Sequence, residues 1–337
     1  MVRIVAALAV IVTAGPALAG AISAQGDDGS QASPESVAPF LPPGALLIAL
    51  AIWLAPAAVC VGVCWLLGLL SPGGLDRPEP RRVDAFPAWV WVAAAAGVWV
   101  LQQAGSVIAS IVAGLLVSGG DADQAAARAA AAGEGPDPRV LALSVAGSFA
   151  LAIPLALGAL WLVSRHAPGA GLRPRLIDPA LGLAGLLLLG PMIMVVNVVV
   201  TWIVTTVDGP PQQITHDLLR LLGEGRDGGT LLVWGIVFGA VVGAPIVEET
   251  IFRGFLQSAA RRLLGSPWVA IVLTSALFAL VHWFSLSGGR YAMIVIFALS
   301  LGLGAAFERT KSIAVPMVMH ALFNGSQIAL VLLASPS

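Results

Sequence analysis

Eight stretches of this chain are apolar and long enough, or nearly so, to cross a lipid bilayer, and that one feature leaves few folds open. They fall at about 44–70, 87–117, 139–163, 179–207, 230–260, 267–284, 291–307 and 313–334. A bilayer core about 30 Å thick needs about 20 apolar residues per helix. Hydrocarbon also accepts only backbones that satisfy their own hydrogen bonds. The sequence therefore predicts an all-α fold, a polytopic membrane helix bundle of about eight transmembrane helices. Composition agrees, with 58% hydrophobic and 10% charged residues, where a soluble domain carries about 25% charged. The lipid bilayer is then the first partner. A net charge of −1 offers no basic field, and no motif points to nucleic acid.

The spans are preceded by "MVRIVAALAVIVTAGPALAG", with one basic residue, an apolar middle and a small-x-small end at Ala17-Leu18-Ala19. Residues 1–24 fit a signal peptide and equally an N-terminal anchor. Residues 25–43 are polar and acidic and read as an outer tail. Orientation follows from Lys and Arg in the loops. Arg77, Arg81, Arg82, Arg165, Arg173, Arg175, Arg261, Arg262, Arg309 and Lys311 fall on one side; Arg128, Arg139, Arg220, Arg226 and Arg290 fall on the other. The first side is the expected cytoplasmic face of a cell-membrane protein. Loops at 118–138 and 208–229 read as outer loops without a site, and His216 there and His166 opposite as solvated residues. Trp268 and Trp283 read as interfacial anchors. Cys60 and Cys64, four apart on one segment, read as small hydrophobes.

Residues 44–229 form a four-span scaffold with no ionisable group in mid-span. Residues 230–334 differ. "PIVEETIFRGF" at 245–255 places Glu248, Glu249 and Arg253 inside an apolar run, where one such group costs about 2.5–3.5 kcal/mol at the bilayer centre. Depth shows why the chain tolerates them. Glu248 lies 13 residues before Arg261, about 20 Å along a helix. His282, 15 residues past Pro267, reaches about 22 Å; His320 and Asn324, past Lys311, reach about 14 and 20 Å. Four polar groups on three helices share one layer.

Local spacing sorts their roles. Glu249 and Arg253 stand i, i+4 in the favoured acid-before-base order and predict an ion pair. Glu248 points about 100° away, free of a local partner. Gly235, Gly239 and Gly243 form a stripe that admits a close neighbour, and Pro245 loosens the backbone one turn before Glu248. A buried glutamate beside a histidine can take a proton from water. A second histidine and an amide can donate to a developing oxyanion. Glu248, His282 and His320 can alternatively ligate a divalent metal such as zinc. No His-Glu-x-x-His, Gly-x-Ser-Gly or Gly-x-Gly-Asp motif is present for other intramembrane protease chemistries.

"EETIFR" at 248–253, "FALVH" at 278–282 and "HALFN" at 320–324 resemble the three ordered motifs of the CAAX-protease and bacteriocin-processing membrane proteins, the CPBP or Abi family. The likeness covers about 230–334. It implies an intramembrane endopeptidase whose substrate is a membrane-embedded or lipidated, CAAX-like peptide. It further implies that Glu248, helped by His282, activates water, and that His320 and Asn324 stabilise the oxyanion. Glu249 and Arg253 would hold the helix and help position substrate. Family members are described both with and without a metal; Asn324 suits an oxyanion hole better than a ligand set, so no cofactor is expected. Phe278 reads as packing, and the glycines within 300–304 as helix contact. A site opening toward the cytoplasm, where Arg261, Arg262, Arg309 and Lys311 gather, is the accompanying expectation. Two other classes remain open: a non-catalytic immunity or scaffold protein, and a proton-coupled transporter.

Overall fold

The computed structural model describes residues 43–71, 73–119, 137–207, 229–282 and 292–334. The segment 1–24, nearly all of the tail at 25–43, most of the loops at 118–138 and 208–229, and with them His216 and Trp283, lie outside the described residues. Those described form helices with short connectors: α1 Pro43–Leu66, α2 Ala88–Ser118, α3 Pro138–His166, α4 Asp178–Val207, a composite α5, α6 Pro267–His282, α7 Ala292–Thr310 and α8 Ala314–Ala334. All but α6 are long and apolar enough to cross a membrane; α6 is a shorter apolar helix of 16 residues, about 24 Å long. The outward faces carry Leu47, Ile52, Trp65, Trp99, Leu116 and Trp161, all exposed. A soluble monomer rarely leaves so continuous an apolar surface in water, so this belt belongs in lipid.

α5 is not one regular helix. Gly229–Val237 leads into a π-helical turn, Phe238–Gly243; Ala244–Glu249 is α-helical; Thr250–Leu256 is π-helical again, and Gln257–Leu264 completes it. Pro245 explains the first irregularity in part. It has no N–H to return to the preceding turn, so the Ala240 carbonyl five residues back accepts from Asn324 Nδ2 at 2.8 Å instead. The glycine stripe on α5 packs against α3 as expected. A Cβ at Gly243 would stand 2.2 Å from the Phe149 ring, and one at Gly239 2.5 Å from Val145.

The four loops with the larger basic count meet at one end of the bundle. Arg309 donates to the Gly74 and Arg77 carbonyls, Lys311 to Arg77, Arg175 to the Thr310 carbonyl, and Arg261 pairs with Asp76 at 2.7 Å. Arg81 does not stay in solvent with them. It enters the bundle, pairs with Glu308 of α7 at 2.7 Å, donates to Ser258 and the Ala170 carbonyl, and lies 4.0 Å over the Phe307 ring. Gln257 donates to the same carboxylate at 2.9 Å. Both charged side chains are fully buried. This joint ties the connector after α1 to both α5 and α7.

Candidate active site

Glu248 and Glu249 end the short α-helical stretch between the two π-helical turns of α5, a setting in which irregular helix often marks function. The two carboxylates meet different surroundings. Glu249 is fully buried and accepts from Arg253 at 3.1 Å, the expected i, i+4 pair. Arg253 donates its other arm to Ser300 Oγ at 2.7 Å, and its guanidinium lies 4.5 Å over the Phe278 ring. Glu249 also takes a partner the spacing did not reveal: His320 Nδ1, 2.9 Å from Oε1. The pair therefore does more than stiffen its helix, since it also fixes one of the candidate catalytic rings. Arg253 is sealed in the bundle and does not border the cavity described below.

Glu248 Oε2 has no hydrogen-bond partner. It stands 3.9 Å from His282 Nε2 and 4.0 Å from His320 Nε2. The other nitrogen of each ring is engaged. His282 Nδ1 lies 2.8 Å from the Phe278 carbonyl, which can only accept, so Nδ1 carries the proton. His320 Nδ1 faces a carboxylate and is protonated for the same reason. With both rings neutral, three acceptors converge on one point, too far apart to bond directly and suitably spaced for a bridging proton donor such as water. Phe278 sets both rings in place, with its own ring 4.5 Å from His282 and 6.0 Å from His320; it packs, as read from the sequence.

A metal fits this arrangement less well. Ligands at about 2.0–2.1 Å on one tetrahedral zinc lie about 3.3–3.4 Å apart, and the separations from Glu248 exceed that. Among the described residues no group of three or more His, Cys, Asp or Glu is arranged to hold a metal ion.

Glu248, His282, His320 and Asn324 all line one cavity of about 350 Å³, bounded otherwise mostly by apolar side chains such as Phe149, Ile296 and Phe323. That volume is at the lower end of ordinary ligand sites. The structure thus gathers the four residues singled out by depth. Two lining residues were not foreseen, Asn197 of α4 and Gln327 of α8. Neither has a hydrogen-bond partner among the described residues. A lone amide in the middle of an apolar span was the available signal for Asn197, since a polar side chain at membrane depth needs a partner or a wet cavity. The cavity also lies away from Arg261, Arg262, Arg309 and Lys311. None of those four residues is among those that line it.

These features define a class: a multi-pass helical membrane protein with a buried glutamate–histidine site at the base of an intramembrane cavity. Residues 230–326, from α5 into α8, match the Rce1-like family of type II CAAX prenyl endopeptidases. That match covers less than a third of the chain and agrees with the CPBP resemblance of its motifs. Comparisons with curated proteins and with solved structures return no match.

Proposed function

We propose that the protein is an intramembrane endopeptidase that hydrolyses peptide bonds of a membrane-embedded or lipidated polypeptide with water activated by Glu248. The observation that carries this reading is the unpartnered Glu248 Oε2 facing two imidazole Nε2 atoms at the cavity base. In that position Glu248 takes a proton from water as the water oxygen attacks the scissile carbonyl carbon. His282 Nε2, an acceptor in the tautomer set by Phe278, holds the water's second hydrogen. The proton on Glu248 then passes to the departing amine nitrogen as the C–N bond breaks.

The oxyanion formed in between needs donors. Asn324 uses one amide hydrogen on the Ala240 carbonyl, and the second remains for the oxyanion. His320 Nε2 donates only when its ring carries both protons, because Nδ1–H is committed to Glu249; the carboxylate there balances the added charge. Glu249 is thus a positioning residue for His320. Two imidazoles and a carboxylate are a donor set that zinc accepts; the metal-free route is supported by the 3.9 and 4.0 Å from Glu248 Oε2 to the two Nε2 atoms, and no step above runs through a metal.

The test is peptide profiling of the purified protein in native-like membranes, with prenylated carboxyl-terminal peptides and membrane digests as substrates. Cuts made by the parent, absent in Glu248→Gln and indifferent to a strong chelator are the expected result. Cuts abolished by chelator and restored by zinc would replace the metal-free mechanism. No Glu248-dependent cut would leave a non-catalytic membrane protein of the same fold.

A further inference from the structure

A second, apolar groove lies on the other side of α4, α7 and α8 from the cavity of Glu248. We infer that it binds one acyl chain of an anionic phospholipid from the leaflet at the basic end, with the headgroup held by Arg309 and Lys311. The inference does not depend on the peptidase reading.

The groove has a volume of about 500 Å³ and runs between α1, α4, α7 and α8. On α7 its lining extends from Arg309 and Thr310, at the basic end, back to Ala298. On α4, which starts at the basic end, it extends from Leu181 to Val196. Those lengths are about 16 and 22 Å along a helix. A 30 Å hydrocarbon core is longer than either, so the groove suits a chain entering from one leaflet and not a segment that crosses both. Its polar lining residues, Arg309 and Thr310, stand together at the basic end, and the rest of the wall is apolar.

Packing explains why the groove exists. Gly185 and Gly302 bring their helices close: a Cβ at Gly302 would stand 2.2 Å from Leu189, and one at Gly185 2.7 Å from Met319 Sδ. Ala184, Ala298 and Ala305 beside them carry only a methyl group, which leaves a trough along the contact. Leu67, Leu70 and Trp268 on its rim are exposed, so the trough reaches the lipid-facing surface through described residues.

Charge selects the headgroup. Arg309 Nη1 donates to the Gly74 and Arg77 carbonyls, and Lys311 Nζ donates to the Arg77 carbonyl at 2.9 Å. Carbonyls carry no net charge, and the nearby carboxylates are engaged elsewhere: Asp76 with Arg261, Glu308 with Arg81 and Glu79 with Arg82. Partial burial pushes the Lys311 ammonium below its ordinary value, and the like charge of Arg309 adds to that. Two close cations without a carboxylate partner among the described residues favour an anion at the groove mouth, and basic sites between transmembrane helices take anionic headgroups in this way.

The test is native mass spectrometry of the full chain, delipidated in mild detergent and returned to nanodiscs of phosphatidylglycerol and phosphatidylcholine, one to nine, with matched acyl chains. One phosphatidylglycerol per chain is expected, favoured over phosphatidylcholine by about tenfold or more, the weight of two cations at a membrane surface. Arg309→Gln with Lys311→Gln should bring the two lipids to equal affinity, whereas Arg309→Lys should keep the preference. Ala184→Phe, at an exposed position on the groove wall, should lose the bound lipid; Ala104→Phe, equally exposed on α2, should keep it. Equal affinity in the parent, an undiminished preference in the double Gln variant, or full binding in Ala184→Phe would overturn the inference. Lys311→Gln alone leaves the Arg309 contacts in place and should lower the preference about fivefold. An unchanged preference there would overturn the inference even if the double variant does not fold.

Discussion

The C-terminal domain differs on the two sides of the Glu248–Glu249 peptide bond. Toward the basic loops every ionised side chain in the interior has a partner: Glu249 with Arg253 and His320, Glu308 with Arg81 and Gln257. Away from them the interior is hollow, and Glu248, Asn197 and Gln327 stand without hydrogen-bonded partners among the described residues. A block of paired charges holds its shape because removing one member leaves an uncompensated charge. The cavity instead presents an unpartnered carboxylate oxygen and two amides, which offer both acceptors and donors. Two adjacent glutamates therefore meet unlike surroundings, one ion-paired and the other with an oxygen that no hydrogen bond reaches.

Substitutions on the two sides should separate along the same line. The largest effect is expected at Glu248: Glu248→Gln should lower turnover by about 10²–10⁴-fold, the ordinary weight of a general base, with thermal unfolding in detergent unchanged. An unfolding midpoint that falls along with activity would erase the contrast. Next is Arg253→Ala, which strands Glu249 in the bundle and should cost about 3–5 kcal/mol of stability, read as lost folded yield. Replacing both partners, Glu249→Gln with Arg253→Met, should recover part of that yield without recovering full activity, since His320 loses its carboxylate. Gly243→Val would drive a side chain into Phe149 and should cost about 1–3 kcal/mol by overpacking, visible in the same unfolding assay. The smallest effect belongs to Asn197→Leu. Loss of one substrate hydrogen bond, about 0.5–1.5 kcal/mol, should raise KM a few-fold to about tenfold and leave kcat in place. An unchanged KM would take Asn197 out of the substrate path.

Much of this was legible in the sequence because it is written in local spacing. Span lengths, the i, i+4 pair of Glu249 and Arg253, and the small-residue stripe on α5 all come from periodicity within one helix. The common depth of Glu248, His282, His320 and Asn324 needed only counting from the nearest loop. What escaped notice was pairing between distant helices. Glu308 sits beside Arg309 at a helix end and reads as an ordinary interfacial charge, yet its partner is Arg81, 227 residues away. The bond from Glu249 to His320 spans 71 residues and leaves no periodic trace. Asn324 was read only for its chemistry, while its Nδ2 also serves the carbonyl that Pro245 leaves unmatched. Which residues line the cavity depends on how six helices fill the space between them, which no single span records.

The Arg81–Glu308 joint bears on how such a protein is inherited and taken apart. The stretch that resembles a known protease family starts at residue 230, inviting the view that it is a cassette which can be transplanted or expressed alone. Glu308 belongs to that cassette, and its counter-charge sits in the connector after α1. A fragment cut at residue 229 would bury the Glu308 carboxylate without its counter-charge, held by Gln257 alone. The first half of the chain therefore supplies a counter-charge that the second half buries, and the two parts are expected to be exchanged between relatives only together.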